Sequence, residues 1–77
     1  MYVLECGDGS FYTGWTNDLP RRVRTHQAGK GGKYTRSRLP VRLIRKWRAG
    51  SRIEAMRKEA LFKSLSRREK ERKIRSK

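Results

Sequence analysis

The sequence predicts a small α/β (α+β) domain in which helices flank a three-stranded sheet, with its elements in the order β-β-α-β-α-α. Three observations predict this class. Two strand-like segments are separated by a Gly-Asp-Gly-Ser turn, two capping-box motifs mark helix starts, and 77 residues suffice for a single domain, 1–77. A chain this short buries a thin core, so its helices must pack on the sheet or on each other.

The first two strands are predicted to form a β-hairpin. Residues 2–6 alternate between two faces, as a half-buried strand does. The turn signal occupies residues 7–10, and residues 11–13 are the aromatic and β-branched types that favour strands. We therefore expect these two segments to pair antiparallel.

The first helix is predicted to begin after Asn17, a good N-cap residue, and to run to about Ala28. Its inner face is a stripe at helical spacing that consists of Leu19, Val23 and His26. This stripe is expected to face the sheet.

The middle of the chain is predicted to be a loop followed by the third strand. Residues 29–40 hold three glycines, several basic residues and a proline, which is typical of a loop. Residues 41–47 are predicted to form the strand. Its two faces are expected to carry, respectively, Val41, Leu43 and Trp47, and Arg42, Ile44 and Lys46.

Capping boxes over residues 51–54 and 66–69 predict the last two helices, because the serine and the glutamate of such a motif bond each other's backbone amides. The segment 67–77 is a basic C-terminal helix or tail with Ile74 as its only apolar residue. The apolar residues assigned to the preceding helix are Ile53, Met56, Ala60, Leu61 and Leu65.

Charge restricts the function of this chain more than any other property. Twenty-two Lys and Arg residues face seven Asp and Glu residues, which gives a net charge of +15. Such an excess destabilises a compact state by self-repulsion, so a polyanionic partner is expected. Arginine outnumbers lysine, which favours phosphate recognition. Nucleic acid is therefore the expected partner, ahead of an acidic membrane surface or an acidic protein.

The expected location is cytoplasmic, with no membrane association. Cys6 is the only cysteine, which excludes an internal disulfide and fits a reducing compartment. No apolar run approaches the length of a membrane span, and the first residues do not resemble a signal peptide.

Few catalytic arrangements can be assembled from these residues. Cys6 and His26 are the only cysteine-histidine pair, and Cys6 is better explained as a core residue than as a nucleophile. A zinc site and a phosphate-binding glycine loop are both missing. Hydrolysis of a phosphodiester remains, and it needs an activated water, a cation beside the phosphate and usually a divalent metal.

A hard metal ion needs carboxylate oxygen, and one acidic residue has no obvious structural task. That residue is Glu59, in the middle of a predicted helix, although an ion pair with Lys63 one turn later is the commoner explanation. The other acidic residues are Asp8 in the turn, Asp18 at a helix start, Glu54 and Glu69 in capping boxes, Glu5 on a strand and Glu71 in the tail.

Four further side chains are candidates for the chemistry. Arg22 and His26 are one helical turn apart, so both could point toward the sheet. Tyr2 and Tyr12 lie on paired strands and could face the same side. For each of them an ordinary structural role is the alternative: phosphate contact for Arg22, a core-edge position for His26 and aromatic packing for the tyrosines.

Taken in order, these residues resemble the GIY-YIG nuclease superfamily, and in particular its short single-domain bacterial proteins. The resemblance runs from Tyr2 to about Glu71 and implies the GIY-YIG fold. It is carried by Tyr2, by Tyr12-Thr13-Gly14, by Arg22 and His26 in one helix and by Glu59 in a later one. Supporting segments, each weak alone, lie at 8–14, 19–23, 29–36, 54–59 and 63–67.

The resemblance implies a role for each of these side chains. Tyr12 or Tyr2 would act as, or assist, the general base that activates water; because a free tyrosine has a pKa of ~10, cations or the metal must help to ionise it. Arg22 would hold the scissile phosphate, and His26 would position the tyrosine or relay its proton. Glu59 would bind a single Mg²⁺ or Mn²⁺ whose other ligands are waters and phosphate oxygens.

Two positions depart from the family pattern. Met1-Tyr2 stands where Gly-Ile-Tyr is usual, and Trp15 stands where a smaller or polar residue is expected. Gly14, which matches the pattern, would let the backbone pass close to the site. A module of this size is expected to lack a separate DNA-recognition domain, which leaves its specificity open.

Three functions remain in competition. The first is a metal-dependent endonuclease acting on DNA in the bacterial cytosol or nucleoid, with repair or recombination as the expected setting. The second is a non-catalytic nucleic-acid-binding module, for which a carboxylate at Glu59 would be of no use. The third is an RNA-associated protein that stacks bases on Tyr34 or Trp47. The residues predicted to bind nucleic acid are Lys33, Tyr34, Arg36, Arg38, Arg42, Arg45, Arg67 and Arg68.

Overall fold

The structure is a computed structural model that describes residues 1–75, and it confirms the predicted α+β class. Within these residues, three strands and four helices follow one another in the order β-β-α-α-β-α-α. In this part of the chain no helix is both long and apolar enough to cross a membrane. The elements are β1 (Tyr2–Glu5), β2 (Phe11–Gly14), α1 (Leu19–Gln27), α2 (Lys33–Arg36), β3 (Arg42–Lys46), α3 (Arg52–Lys63) and α4 (Arg67–Arg75).

The sheet is antiparallel, with β1 in the centre between β2 and β3. Tyr2 pairs with Gly14, and Leu4 pairs with Tyr12. Because alternate residues of a strand share a face, this register places Tyr2, Leu4 and Tyr12 on the same side of the sheet. The predicted hairpin is thereby confirmed.

Each face of the sheet carries its own apolar cluster. On the first face Tyr2 and Leu4 are buried together with Cys6 and Val41, and α1 packs Leu19 and Val23 against them. On the second face Met1, Val3 and Phe62 are buried, and the partly buried residues around them are Phe11, Ile44, Trp47, Leu65 and Ile74. The sheet therefore separates α1 from the C-terminal helix α4.

Helix α1 begins one residue later than predicted. Asp18, not Asn17, is the N-cap, and its Oδ1 accepts a hydrogen bond from the Arg21 amide at 3.3 Å. The predicted stop is correct, because Ala28 is the C-cap and Gly29 follows with a φ of 78°, which favours glycine. Asp18 is as good a cap as Asn17, so residue type alone could not choose between them.

The segment 29–40 is not wholly a loop, because the short helix α2 occupies part of it. The prediction rested on its glycines, and Gly32 does stand outside the helix as its N-cap. Between Gly32 and Pro40 the sequence is free of helix breakers, which leaves room for one turn.

The predicted faces of β3 are wrong for Ile44 and Trp47, which pack against the same cluster on the second face. Val3 pairs with Arg45, but the next residue of β1, Leu4, pairs with Leu43, so the register shifts at this point. An extra residue in one strand breaks its alternation. Val41 is buried as expected, whereas Leu43 is 37% exposed.

Helix α3 presents a different face to the protein from the one its apolar residues suggested. Ile53, Met56 and Leu61 are 65%, 49% and 68% exposed. The buried residues of the helix are Ala55 and Phe62, seven positions apart. Its capping box is present, but the Glu54 carboxylate accepts from the amide of Gly50 rather than from that of Ser51.

The second capping box forms as predicted, since Ser66 and Glu69 accept hydrogen bonds from each other's amides at 3.1 and 3.2 Å. Ile74 packs against the second cluster, so α4 is a docked helix and not a solvated tail. Residues 76 and 77 of the predicted C-terminal segment lie outside the described residues.

Replacing Phe62 by alanine is expected to cost about 3–5 kcal/mol of unfolding free energy, because this ring is 1% exposed and leaves a cavity under α3. Leu61→Ala on the same helix is the matched control, and we expect it to cost less than about 0.5 kcal/mol. Urea denaturation followed by circular dichroism measures both. Equal losses for the two variants would contradict the orientation of α3.

Candidate active site

The aromatic side chains predicted for the chemistry come together on the first face of the sheet. The ring centroids of Tyr2 and Tyr12 are 6.4 Å apart, and the Tyr12 ring lies 4.9 Å from the His26 imidazole. His26 is the only fully buried residue of α1 and projects from it toward the two strands. The hairpin register and the inner stripe of α1 together produce this cluster.

The His26 ring is held at both nitrogens. Its Nε2 is 3.1 Å from the Tyr2 hydroxyl, and its Nδ1 is 2.9 Å from the Thr35 hydroxyl. His26 and Thr35 are both 0% exposed, and Tyr2 is 3% exposed. Buried polar groups need such partners, so the chain Tyr2–His26–Thr35 fixes the orientation of the imidazole.

Burial keeps both ends of the Tyr2–His26 hydrogen bond neutral near pH 7. Desolvation raises the pKa of Tyr2 to about 12, with the Tyr12 ring and the Glu59 charge acting in the same direction and Arg22 against them. Desolvation, followed by the Arg22 charge, lowers the pKa of His26 below its ordinary value of 6.5. A neutral phenol can donate to a neutral imidazole: in the tautomer that carries its proton on Nδ1, Nε2 of His26 accepts from the Tyr2 hydroxyl and Nδ1 donates to the Thr35 hydroxyl.

Two glycines leave room for this chain of hydrogen bonds. A Cβ atom at Gly14 would lie 2.6 Å from the Tyr2 hydroxyl oxygen, closer than any side chain tolerates. A Cβ atom at Gly31 would overlap the His26 ring at Nδ1. Gly14 therefore passes close to the cluster, as the resemblance implied, and Gly31 does the same from the segment before α2.

Two charged side chains act on the cluster from outside it. Arg22, exposed on α1, is close enough for its charge to lower the pKa values of both Tyr2 and His26. Glu59 lies on α3, which packs on β2, and its charge raises the pKa of Tyr2. The structure therefore brings Tyr2, Tyr12 and His26 into contact, and it leaves Arg22 and Glu59 within electrostatic reach of Tyr2.

Glu59 is also ion-paired. Its carboxylate is 3.1 Å from the Lys63 ammonium group one turn later, which is the structural alternative considered for it. Its side chain is only 22% exposed, less than any other acidic partner of an ion pair in the described chain. A half-exposed Lys63 can swing away at little cost, because exposed pairs contribute at most about 1 kcal/mol.

Helix α2 continues the cluster toward solvent. The Tyr34 ring lies 6.0 Å from that of Tyr12, and the Arg38 guanidinium stacks 3.9 Å from the Tyr34 centroid. Lys33 and Arg36 are exposed on the same helix. These four residues, all predicted to bind nucleic acid, form a basic and aromatic border beside the candidate site.

The other four predicted nucleic-acid-binding residues lie on β3 and α4. Arg42 is paired with Glu5 at 2.7 Å, and Arg67 is paired with Glu71 at 3.0 Å. Arg45 reaches the carbonyl of Ile74, and Arg68 is exposed on α4, on the opposite side of the sheet. Arg38 also has an internal partner, Asp8 at 3.0 Å, so a basic residue is not by itself a free phosphate contact.

Thr35 and Gly31 are the site residues that sequence reasoning did not identify. Thr35 lies nine residues after His26, inside the segment predicted to be a loop, where its partner was not apparent. The only signal was the segment Lys33-Tyr34-Thr35-Arg36, which matched the family as a whole without a role for the threonine.

The comparisons with known proteins identify a family. The model of the GIY-YIG catalytic domain matches residues 1–73. A UPF0213 protein of Streptococcus agalactiae serotype V is 59% identical over 70 residues, which cover 91% of this chain and 80% of that protein. A UPF0213 protein of Halobacterium salinarum is 54% identical over 71 residues, which cover 92% of each chain.

One solved structure is also similar. The solution NMR structure of the UPF0213 protein BH0048 from Bacillus halodurans has 55% sequence identity and a TM-score of 0.61. The match covers 95% of this chain and 78% of that one. The names of these relatives state neither an activity nor a ligand.

Proposed function

This chain belongs to the GIY-YIG family, a nuclease-like family, and on that premise we propose that it is a metal-dependent endonuclease that hydrolyses phosphodiester bonds in DNA. The observation that carries the proposal is the buried chain Tyr2–His26–Thr35, with a neutral imidazole positioned to accept a proton from a neutral phenol. A protein that only holds nucleic acid has no use for such a relay.

The donor set around the cluster fits a hard divalent cation that takes few protein ligands. Within residues 1–75 no group of three or more His, Cys, Asp or Glu side chains is close enough to hold a metal ion, which excludes a closed structural site. Glu59 offers one partly buried carboxylate whose charge acts on Tyr2. Mg²⁺ commonly accepts one or two carboxylates together with waters and substrate phosphates, so Glu59 would hold it.

The protein's own residues move the proton. Attack of a water molecule forms a bond from its oxygen to phosphorus and breaks the bond to one sugar oxygen, which leaves and takes up a proton from solvent. The attacking water gives its proton to the Tyr2 oxygen while Tyr2 passes its own proton to Nε2 of His26, so the tyrosine need not be ionised beforehand. Nδ1 of His26 stays bonded to Thr35 and holds the ring in place. Arg22 would contact the phosphate oxygens and stabilise their charge. A bound cation would add further charge neutralisation there.

Tyr12 has a supporting role in this scheme. Its ring lies against those of both Tyr2 and His26. Its half-buried ring borders Tyr34, so it lies between the relay and the basic border on α2. Of the two tyrosines that the resemblance offered as general base, the geometry favours Tyr2 for the proton transfer.

The rate of cleavage is expected to fall on the acid side with a midpoint below pH 6.5. His26 is the only histidine, and its pKa is lowered, so it is neutral above 6.5 and loses its acceptor site as the pH falls through the folded-state pKa. The contribution of neutral His26 to the free energy of unfolding is likewise fully present above pH 6.5, and it is lost as the pH falls from 6.5 through the pKa of His26 in the folded protein. Single-turnover cleavage between about pH 5 and 8, with thermal melts as a folding control, measures both; a midpoint above 6.5 would contradict the relay.

Product analysis tests the proposed reaction. Cleavage in water enriched in the heavy oxygen isotope should place one labelled oxygen on the product phosphate and leave no DNA attached to the protein. A phosphotyrosine link to Tyr2 or Tyr12 would show that tyrosine is the nucleophile. Unlabelled, intact DNA after incubation with metal would overturn the nuclease proposal itself.

A second candidate function is a nucleic-acid-binding module without cleavage. The observation that favours it is the Glu59–Lys63 ion pair, which engages the carboxylate that a metal would need. This function predicts tight, salt-sensitive binding that divalent metals do not convert into cleavage.

A further inference from the structure

A second concave region lies next to the proposed active site and has no part in the scheme above. It is a cleft of about 870 Å³ at the edge where β1 begins and β2 and β3 end. This volume is in the range of ligand-binding pockets. Tyr2 lines the cleft, and its hydroxyl bonds His26, so the cleft and the relay share this residue.

The cleft has aromatic walls that are held in place. Trp15 and Trp47, the only two tryptophans of the chain, both line it and are both half-buried. The Trp47 ring packs 5.8 Å from the Phe62 ring in the core, and the Arg52 guanidinium lies 5.2 Å from the Trp15 ring.

The rim of the cleft is cationic. Lys46, Arg48 and Arg52 line it, and none of the three forms an ion pair within the described part of the chain. The nearest carboxylate, Glu54, accepts from the Gly50 amide at the edge and is neutralised by Lys58 at 3.1 Å. A ligand that fits must therefore be aromatic and anionic at once.

We propose that this cleft binds an unpaired nucleotide adjacent to the scissile phosphate, with its base against Trp15 and its own phosphate on Arg52 and the neighbouring cations. The inference rests on the proposed nuclease function, because Tyr2 joins the two sites. Bases within a duplex are stacked on each other and cannot reach a tryptophan in a cleft, so the substrate has at least one unpaired nucleotide at this position. A DNA strand and an RNA strand offer the same chemistry.

Binding is measured without metal, so that it does not depend on catalysis. The protein is titrated in EDTA with short single-stranded DNA, with single-stranded RNA and with a DNA duplex. We expect the two single strands to quench tryptophan fluorescence, and the one that binds more tightly shows whether the nucleotide comes from DNA or from RNA. Because both tryptophans line the cleft, the signal reports on this site alone. Quenching by the duplex with equal affinity, or no quenching, would overturn the proposal.

Trp15→Leu is expected to weaken binding of a single strand by roughly 5- to 150-fold, the range for one lost base–aromatic stack. The same loss is expected for the wild-type protein when the strand is replaced by an abasic one, and the variant should lose nothing further on the abasic strand. If instead the variant and the wild type discriminate equally between the two strands, no base stacks on Trp15.

Two further variants complete the design. Phe11→Leu is the matched control, because this half-buried ring also lies under an arginine, Arg67 at 4.0 Å, but on the second face of the sheet, and it should bind like the wild type. Arg52→Gln is the second test of the cleft, and it serves alone if Trp15→Leu does not fold. Because Arg52 is exposed and would contact one phosphate, its loss should lower the slope of log affinity against log salt concentration by about 0.7. If single strands bind the cleft but are not cleaved when metal is added, the nuclease proposal is wrong and the cleft proposal stands. If DNA is cleaved but tryptophan fluorescence is not quenched, the cleft proposal is wrong and the nuclease proposal stands.

Discussion

Replacing Glu59 by glutamine is expected to lower metal-dependent cleavage on the order of 10³-fold. The side chain keeps its shape but loses the charge that would hold the cation, and a catalytic metal ion supplies several kcal/mol of charge stabilisation. Binding of the same DNA in EDTA should be unchanged or slightly tighter, because a negative charge beside the phosphates is lost. Single-turnover cleavage and an equilibrium binding assay on the same substrate measure the two effects.

Glu71→Gln is the matched control for this prediction. Glu71 forms the same type of ion pair, with Arg67 across one helical turn, but it lies on α4, away from Tyr2. The control should cleave at the wild-type rate. If Glu59→Gln also cleaves at that rate, the carboxylate serves only its ion pair with Lys63 and the metal assignment is wrong.

Replacing Arg22 by alanine is expected to lower the cleavage rate roughly 10²- to 10³-fold, the usual cost of removing one donor aimed at developing charge. Binding should weaken modestly, with the salt slope smaller by about one phosphate contact. Arg22→Lys should recover little of the rate, because a lysine keeps the charge without the two-pronged geometry of the guanidinium. Rates with saturating enzyme separate the loss of cleavage from the loss of binding.

Arg24 provides the comparison on the same helix. It is exposed like Arg22 and carries the same charge, but Arg22 is the arginine of α1 whose charge acts on Tyr2 and His26. Arg24→Ala should therefore weaken binding without changing the rate at which bound substrate is cleaved. A similar rate loss for both variants would reduce Arg22 to one member of a diffuse basic surface.

Local sequence signals predicted the fold because they agree with one another along the chain. The alternation of residues 2–6 and the Asp-Gly turn specified the hairpin, and the two serine-glutamate pairs specified the starts of α3 and α4. The same register placed Tyr2 and Tyr12 on one face before any contact was known. Short-range patterns of this kind depend on neighbouring residues alone.

The failures of prediction in α3 and β3 arose where a distant contact decides. Helix α3 has apolar residues around much of its circumference, so packing against the sheet, and not periodicity, selects Phe62 for the core and leaves Ile53 and Leu61 exposed. The register shift in β3 depends on its partner strand, and it moves Ile44 to the face of Trp47. Neither the buried face of α3 nor the register shift in β3 can be predicted from the local sequence.

The candidate site shows the same division. Arg22 and His26 were placed by helical spacing, but the approach of Glu59 to Tyr2 depends on how α3 docks on β2. Thr35 became apparent only when α2 brought it to the imidazole. The roles assigned to these side chains remain predictions, and so do the metal ion and the DNA substrate.

The most direct test of the central claim, that this cluster catalyses metal-dependent DNA cleavage, is the nicking of supercoiled plasmid, because negative supercoiling favours local strand separation and so offers unpaired nucleotides as well as duplex. Wild-type protein and Glu59→Gln are incubated with plasmid in Mg²⁺, in Mn²⁺ and in EDTA, and the topological forms are separated on a gel. We predict relaxed circles with wild-type protein and metal, and supercoiled plasmid in EDTA and with the variant. Plasmid that stays supercoiled under all conditions while the protein binds it, or nicking that persists in EDTA, would contradict the claim.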